Sequence, residues 1–308
     1  MTDLLSVIIP TYNPDANRLA KTLTGLQNQS LPLSLWELIL VDNNSSSPVS
    51  TDLSWHLNHK IIRETEQGLT YARLKGFNEA KGQILVLVDD DNILDEYYLQ
   101  NVAEAFRHQP KLGAIGGKSL PLFESPPPDW LPQFYSSLAL RDLGDAVLTA
   151  TWNNSYPTCA PIGAGIALRK DALKYYIKKI ETQQGIITDR KGDSLSSGGD
   201  NDIVLEILKA GWQVAYLPNL SLQHIIPAQR VEANYLARLI NSSSNSWVQL
   251  LQSHGINPWP QISGWTLGLR KAKAWFTYKA WQNKVSYIKW QGACGTFDGL
   301  VKKRNQTF

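Results

Sequence analysis

Three consecutive aspartates, Asp89, Asp90 and Asp91, close an uninterrupted apolar run from Ile84 to Val88. Adjacent carboxylates repel one another unless a cation or basic group compensates. Hard oxygen donors of this kind suit Mg²⁺ or Mn²⁺, which bind through one or two carboxylates together with substrate phosphates. The competing reading is a helix cap, a task that does not require three acids. A second acidic centre, Gly198-Gly199-Asp200-Asn201-Asp202, opens a later helical pattern. Asp200 there reads as a capping residue or as a functional carboxylate. Arg73 and Arg230 offer guanidiniums to phosphate or carboxylate, against the alternative of ordinary salt bridges. His224, six residues before Arg230, reads as a ligand or as a satisfied structural histidine. Gly163-Ala164-Gly165 lacks large side chains, so a ligand or backbone could approach closely. Trp130 and Trp152 offer stacking platforms, with core packing as the competing role.

These groups need a frame. Ser6–Pro10 and Trp36–Val41 read as buried strands, and Ile84–Val88, apolar at every position, reads as a strand covered on both faces. Between them Ala16, Leu19, Leu23 and Leu26 recur at helical spacing after Asn13-Pro14, a cap followed by Pro at the first helical position. A helix is expected around Thr70–Ala80, and another carries Leu99, Val102, Ala103 and Phe106 on one face. Strand and helix alternating with short connections predict an α/β fold with a mostly parallel sheet. In such sheets ligands sit beyond the carboxyl ends of the strands. Thr11, Tyr12 and Asn13, then Asp42, Asn43 and Asn44, then the aspartate triplet therefore share one rim. From 117 to 160 the prolines, Pro121 among them, argue against long elements. Ile162–Leu168, Trp212–Leu217 and Leu220–His224 are further strand candidates, with a helix after Asp200 ended by Gly211.

The chain of 308 residues is one large domain or two modest ones. Its hydrophobic fraction of 43% excludes a disordered polymer, and Cys159 and Cys294 alone support neither a disulfide framework nor a thiolate zinc site. No apolar run approaches the roughly 20 residues of a membrane span. With Asp3 where a basic segment should lie, no signal peptide is expected and a cytoplasmic location is. The net charge of +3 hides an asymmetry. Residues 1–254 hold 21 Lys+Arg against 26 Asp+Glu, whereas 255–308 hold 9 against one, Asp298, with five of the 11 tryptophans.

The ordered set SVIIPTYN, LILVDNN, GLTYARLKGFNEAKG before ILVLVDDD, and GGDND resembles the family-2 inverting glycosyltransferases of bacterial type, over residues 4–230. The resemblance implies a GT-A fold: a Rossmann-like sheet flanked by helices, spanning 1–228 with an acceptor side at 117–228, and a helical region at 229–308. It implies a nucleoside-diphosphate-sugar donor (UDP-sugars favoured), a divalent cation (Mn²⁺ or Mg²⁺), and a saccharide or lipid-linked acceptor in cell-surface polysaccharide or glycolipid synthesis. Pro10, Thr11, Tyr12, Asn13 and Asp42 would form the base and ribose pocket, with Arg73, Asp89 and Asp90 on the donor. Asp91, with Asp89 and His224, would hold the metal. Asp200 would be the catalytic base, although Gly199 stands where the family pattern has Glu. Gly163, Ala164, Gly165, Trp130, Asp202 and Arg230 would lie on the acceptor side. Two other readings stand beside this one. A non-catalytic nucleotide-sugar-binding relative is motivated by Gly199. A nucleotidyltransferase would need a Gly/Arg/Lys-rich phosphate loop that PTYNPD lacks.

Across 270–290, Trp275, Tyr278, Trp281, Val285 and Ile288 are expected on one arc of a single helix, with Lys273, Lys279 and Lys284 off it. Such a helix fits an anionic membrane surface, at the inner face of the membrane. Packing of the stripe on the body is the alternative. Nucleic acid is not expected, because no recognition fold accompanies the charge.

Overall fold

The computed structural model describes residues 4–182, 195 and 198–301. Strand β1 (Leu5–Thr11) is followed by helix α1 (Ala16–Gln27), β2 (Trp36–Asp42), β3 (His59–Arg63), α2 (Leu69–Glu79) and β4 (Ile84–Leu87). The strands β3, β2, β1 and β4 lie side by side in that order, all parallel. Then come β5 (Asn92–Leu94), α3 (Tyr98–His108), β6 (Leu112–Phe123), β7 (Leu148–Ala150), β8 (Ala167–Arg169), α4 (Lys174–Glu181), α5 (Gly199–Lys209) and β9 (Gln213–Ile226). The sheet continues from β4 through β8, β6 and β9 to β5, with β7 also on β9. The long registers are parallel; the antiparallel ladders are two or three residues each.

Alternation along the strands explains why they are apolar throughout. Val7, Ile9, Leu38, Leu40 and Val86 face one layer, filled by Leu19, Leu23 and Leu26 of α1 and Leu99, Val102 and Phe106 of α3. Ile8, Ile39, Val41, Leu85 and Leu87 face the other, filled by Ala72 and Phe77 of α2 and Ile203 and Ile207 of α5. A strand buried on both faces leaves polar residues a place only at its ends, which is where the rim lies.

Several local expectations are corrected. Asp15, not Asn13, caps α1, accepting from the backbone N–H of Asn17 and Arg18 at 3.0 and 3.1 Å. Asn13 adopts a left-handed turn (φ 47°), and its side-chain oxygen accepts from Ser46 instead. The expected irregularity from 117 begins only after Phe123, because β6 runs through Pro121. Ser119, two residues earlier, makes its backbone bonds to Arg141, away from β9, and β8 reaches only Ala114 and Ile115. Pro121 shares that outward parity, so its missing N–H costs no ladder bond. The two strand candidates at 212–224 form the single β9, which takes up an irregularity between the pairs Gly116–Tyr216 and Lys118–Ser221. The strand expected at 162–168 shrinks to Ala167–Arg169, since Gly165 turns left-handed (φ 73°).

The C-terminal part comprises α6 (Ala233–Ser253), α7 (Leu267–Thr277) and α8 (Lys284–Leu300). The single helix expected across 270–290 is two. Lys279 is left-handed (φ 50°), and Asn283 caps α8 by accepting from the Ser286 N–H at 2.9 Å. Glycines at 292, 295 and 299 let α8 close on α6: a Cβ on Gly295 would stand 2.0 Å from the Asn241 carbonyl oxygen. None of the helices, among the described residues, is long and apolar enough to cross a membrane.

Candidate active site

The rim opens into a cleft of about 660 Å³. It is lined by Pro10, Thr11 and Tyr12 from the end of β1, by Asp89–Asp91 after β4, and by Arg73 of α2. Gly163 and Ala164, Asp200 at the start of α5, His224 near the end of β9, and Arg230 complete this set of expected residues. Twelve positions up to 220 residues apart thus meet because three parallel strands end on one side.

Charge is arranged in two groups. On the first, the Thr11 hydroxyl donates to Asp90 Oδ2. Burial, then the neighbouring Asp91, push the Asp90 carboxyl up to about 7; the Thr11 bond only partly offsets this. Asp91 Oδ2 lies 3.2 Å from Arg230 Nη1 and 3.4 Å from His224 Nε2, and Asn92 donates to Asp91 Oδ1 at 3.1 Å. Burial works against the charge on Arg230, but Asp91 and the Tyr235 hydroxyl raise its pKa above the ordinary value. On the second, Asp200 sits in the first turn of α5, whose N-terminal dipole favours a carboxylate. The Gly163 N–H donates to Asp200 Oδ2 at 2.8 Å. A Cβ on Gly163 would meet Asp200 Oδ2 at 3.1 Å and Arg73 Nη2 at 3.2 Å, so Gly163 is the gap that lets acid and guanidinium share one wall. Arg73 itself is buried, 4% exposed. Beside Asp200, the hydroxyl of the half-buried Tyr156 donates to Asn201 Oδ1 at 2.5 Å, and its ring meets Trp247 edge-on. Burial, then the Asp200 charge, raise the Tyr156 pKa.

Five expected site residues stay outside the cleft lining. Asn13 is spent on the Ser45–Ser46 turn. Asp42 is buried and turned into its own loop, accepting from the Ser45 and Val49 N–H groups with Arg63 at 4.0 Å. Burial alone would raise its pKa, but those bonds and Arg63 hold it below the usual carboxylate range. Gly165 makes room for Tyr98, whose hydroxyl donates to the Gly165 carbonyl at 2.6 Å. Trp130 packs edge-on against Phe134. Asp202 is 1% exposed and pairs with Lys179 and His254, each at 2.6 Å from Oδ1. Trp152, too, packs into the core rather than the cleft.

Asn43, expected on the rim, lines the cleft and bridges the backbone at Glu66 and Gly68. The cleft also contains residues that the sequence pattern does not single out, beginning with Gln67 and Gly68 beside that bridge. Ser136 and Ser137 come from a 3₁₀ segment at Leu131–Leu138, and Ser243, Ser244 and Trp247 from α6. The polar run Asn241–Ser246 inside an otherwise amphipathic helix was the available signal for the latter.

A divalent cation has two acidic locations to choose between. Among the described residues, the group bringing three metal-type donor atoms within 4.8 Å of one another is Asp202, Glu206 and His254. There, however, the Lys179 ammonium already sits 2.6 Å from Asp202 and 3.2 Å from Glu206, neutralising the pair. The rim offers the three carboxylates of Asp89 to Asp91, hard oxygen donors, with the His224 imidazole beside them; burial, then the crowding of these acids, raises Asp90. In donor chemistry the rim fits Mg²⁺ or Mn²⁺.

Residues 6–165, just over half of the chain, match the model of the family described as Glycosyl transferase family 2. The chain belongs to that family. A glucosyl-dolichyl phosphate glucuronosyltransferase of Haloferax volcanii is 22% identical over 240 residues, covering 75% of this chain and 72% of that one. A Macaca fascicularis protein named inactive polypeptide N-acetylgalactosaminyltransferase-like protein 5 is 26% identical over 80% of this chain, which spans only 56% of that relative's length. In fold, the family 2 member here is similar to S. aureus TarS 1-349 crystallised in complex with UDP. The TM-score is 0.53 at 15% identity, covering 96% of this chain and 89% of that one. The α/β architecture with a helical C-terminal region is therefore the GT-A arrangement.

Proposed function

We propose that the cleft transfers a sugar from a nucleoside diphosphate, UDP-sugars favoured, to an acceptor hydroxyl with inversion at the anomeric carbon. The observation that carries this reading is the facing of two groups in one cleft: the aspartate rim with Arg230 and His224, and Asp200 held by the Gly163 N–H beside Arg73. Tyr12, 44% exposed at the mouth, offers a stacking face for a base. TarS, similar in fold, was crystallised with UDP, and the Haloferax relative's name describes a lipid-phosphate acceptor. These favour a uridine nucleotide and a saccharide or lipid-linked acceptor.

The chemistry follows from the residues. Asp200 Oδ2 is engaged by Gly163, which fixes the carboxylate and leaves Oδ1 to take the acceptor proton. As that O–H bond breaks, the acceptor oxygen forms a bond to C1 on one face. The bond from C1 to the diphosphate oxygen breaks on the other, and the diphosphate leaves with the electron pair. Arg73 and Arg230 neutralise charge that builds on the leaving group. Asp89 and Asp91 with His224 would hold a divalent cation, which would supply Lewis-acid stabilisation of the diphosphate.

Asp200→Asn tests the assignment. General-base assistance is worth about 10²–10⁴ in rate, so turnover falls by that factor while UDP affinity holds. Full transfer by this variant removes Asp200 from the mechanism. Gly199, where the family pattern has Glu, motivates one other reading, a binding protein without turnover. Wild-type binding of UDP with neither transfer nor donor hydrolysis would favour it.

A further inference from the structure

Helix α7 carries its apolar side chains on the outside. At 100° per residue, Leu269, Ala272 and Phe276 fall on one narrow arc, and Trp265 from the preceding turn extends it. Their exposure is large: Trp265 81%, Leu269 69% and Phe276 68%. The opposite face is already satisfied. Leu267 packs with Val248, Ile262 and Leu300; Ala274 is buried; Lys271 pairs with Asp298 at 2.7 Å; and Trp275 meets Trp290 edge-on. Trp281, 55% exposed, lies beside Phe276 at 5.8 Å between ring centres and widens the patch. A helix on a water-exposed surface normally turns its charged side outward, and contiguous apolar exposure marks an interaction surface.

Charge identifies the occupant. Arg270, Lys273, Lys279 and Lys284 are exposed around the patch, and the single acid of 255–308, Asp298, is consumed by Lys271. A second copy of the chain would set two such basic faces against each other. An anionic bilayer surface complements both parts, with aromatics at headgroup depth and lysines against phosphate. The helix is too short to span, so it would lie in the plane of the interface.

We propose that the outer face of α7, with Trp281, docks this protein on anionic lipid. Vesicle flotation of the full chain tests it, with phosphatidylcholine vesicles lacking or containing phosphatidylserine. Association is expected with the anionic vesicles, falling as salt rises. Leu269→Glu/Phe276→Glu, both at exposed sites, is expected to lose that association with an unchanged melting temperature, and Lys273→Glu/Lys279→Glu to lose the preference for phosphatidylserine. Absence of binding at low salt, or equal binding by the double glutamate variant, would overturn the proposal. So would equal binding to the neutral vesicles, or a dimer in light scattering that the glutamates dissociate without any lipid association.

Discussion

Gly295→Ala places one methyl group where α8 crosses α6, and its cost can be worked from the contact. The new Cβ would lie 2.0 Å from the Asn241 carbonyl oxygen, 2.8 Å from its carbon and 3.0 Å from its Cα. All three atoms are backbone, so no rotamer change relieves the clash and the helices themselves must separate. One turn away, Gly292→Ala meets side chains alone, the Ile240 Cγ2 methyl at 3.0 Å and Ser244 Oγ at 3.7 Å, which can yield. Both substitutions gain about 1 kcal/mol of helix propensity. Overpacking a well-filled contact costs about 1–3 kcal/mol, more where backbone must shift. Gly292→Ala is therefore expected to be near neutral and Gly295→Ala to destabilise by about 2 kcal/mol net or more. For a chain of this size that is a fall in Tm of roughly 3 °C or more. Differential scanning calorimetry of the two variants beside wild type is the assay. Equal Tm values for the pair would refute the close α6–α8 packing, and with it the placing of Ser243, Ser244 and Trp247 in the cleft wall.

Three further outcomes follow from the site. Gly163→Ala crowds Asp200 and Arg73 by a few tenths of an ångström, so kcat should fall about tenfold or more with little change in Tm, since misplacement of a reacting group by 1 Å can cost 10²; unchanged kcat would contradict the shared wall. Lys179→Met strips one of two partners from the buried Asp202 carboxylate, leaving His254 at 2.6 Å, and should cost about 1.5–3 kcal/mol in denaturant unfolding, whereas a cost below about 1 kcal/mol would show the network to be inessential. Asp90, raised to about 7 when folded, binds its proton more tightly in the native state, so its stabilising share is full near pH 4 and is lost as pH rises through 7. In chelator, the Tm of wild type minus that of Asp90→Asn should therefore fall between pH 5 and pH 8, and a difference independent of pH would contradict the raised carboxyl.

The rim was legible because strands buried on both faces announce themselves as apolar runs, and polar residues directly after them have one place to go. Pro10 to Tyr12 and Asp89 to Asp91 follow from that alone. The centre around Gly163 and Asp200 needed the family pattern as well, since a lone Asp before a helix reads equally as a cap. What stayed hidden depended on partners distant in sequence. Asp202 differs from Asp200 only in facing Lys179 and His254, the latter 52 residues away. Pro121 reads as a breaker until its own stretch of the outer edge of β6, beyond the Ser119–Arg141 pair, is seen to carry no ladder among the described residues. The break between α7 and α8 had a local cue, Asn283 with Ser286, that the aromatic spacing outweighed. A single helix there would put Trp275 and Ile288 on one arc, whereas the structure leaves Trp275 half-buried against Trp290 and buries Ile288 in the α6 cluster.

The claim on which the account rests is that the aspartate rim and the cleft it opens receive a nucleoside diphosphate with a divalent cation. Isothermal titration of UDP in the presence of Mn²⁺ measures this directly, with wild type compared to Asp91→Ala. Saturable binding by wild type is expected, weakening without Mn²⁺ and in the variant. Equal UDP affinity in all three conditions, or no binding of UDP by wild type, would contradict it.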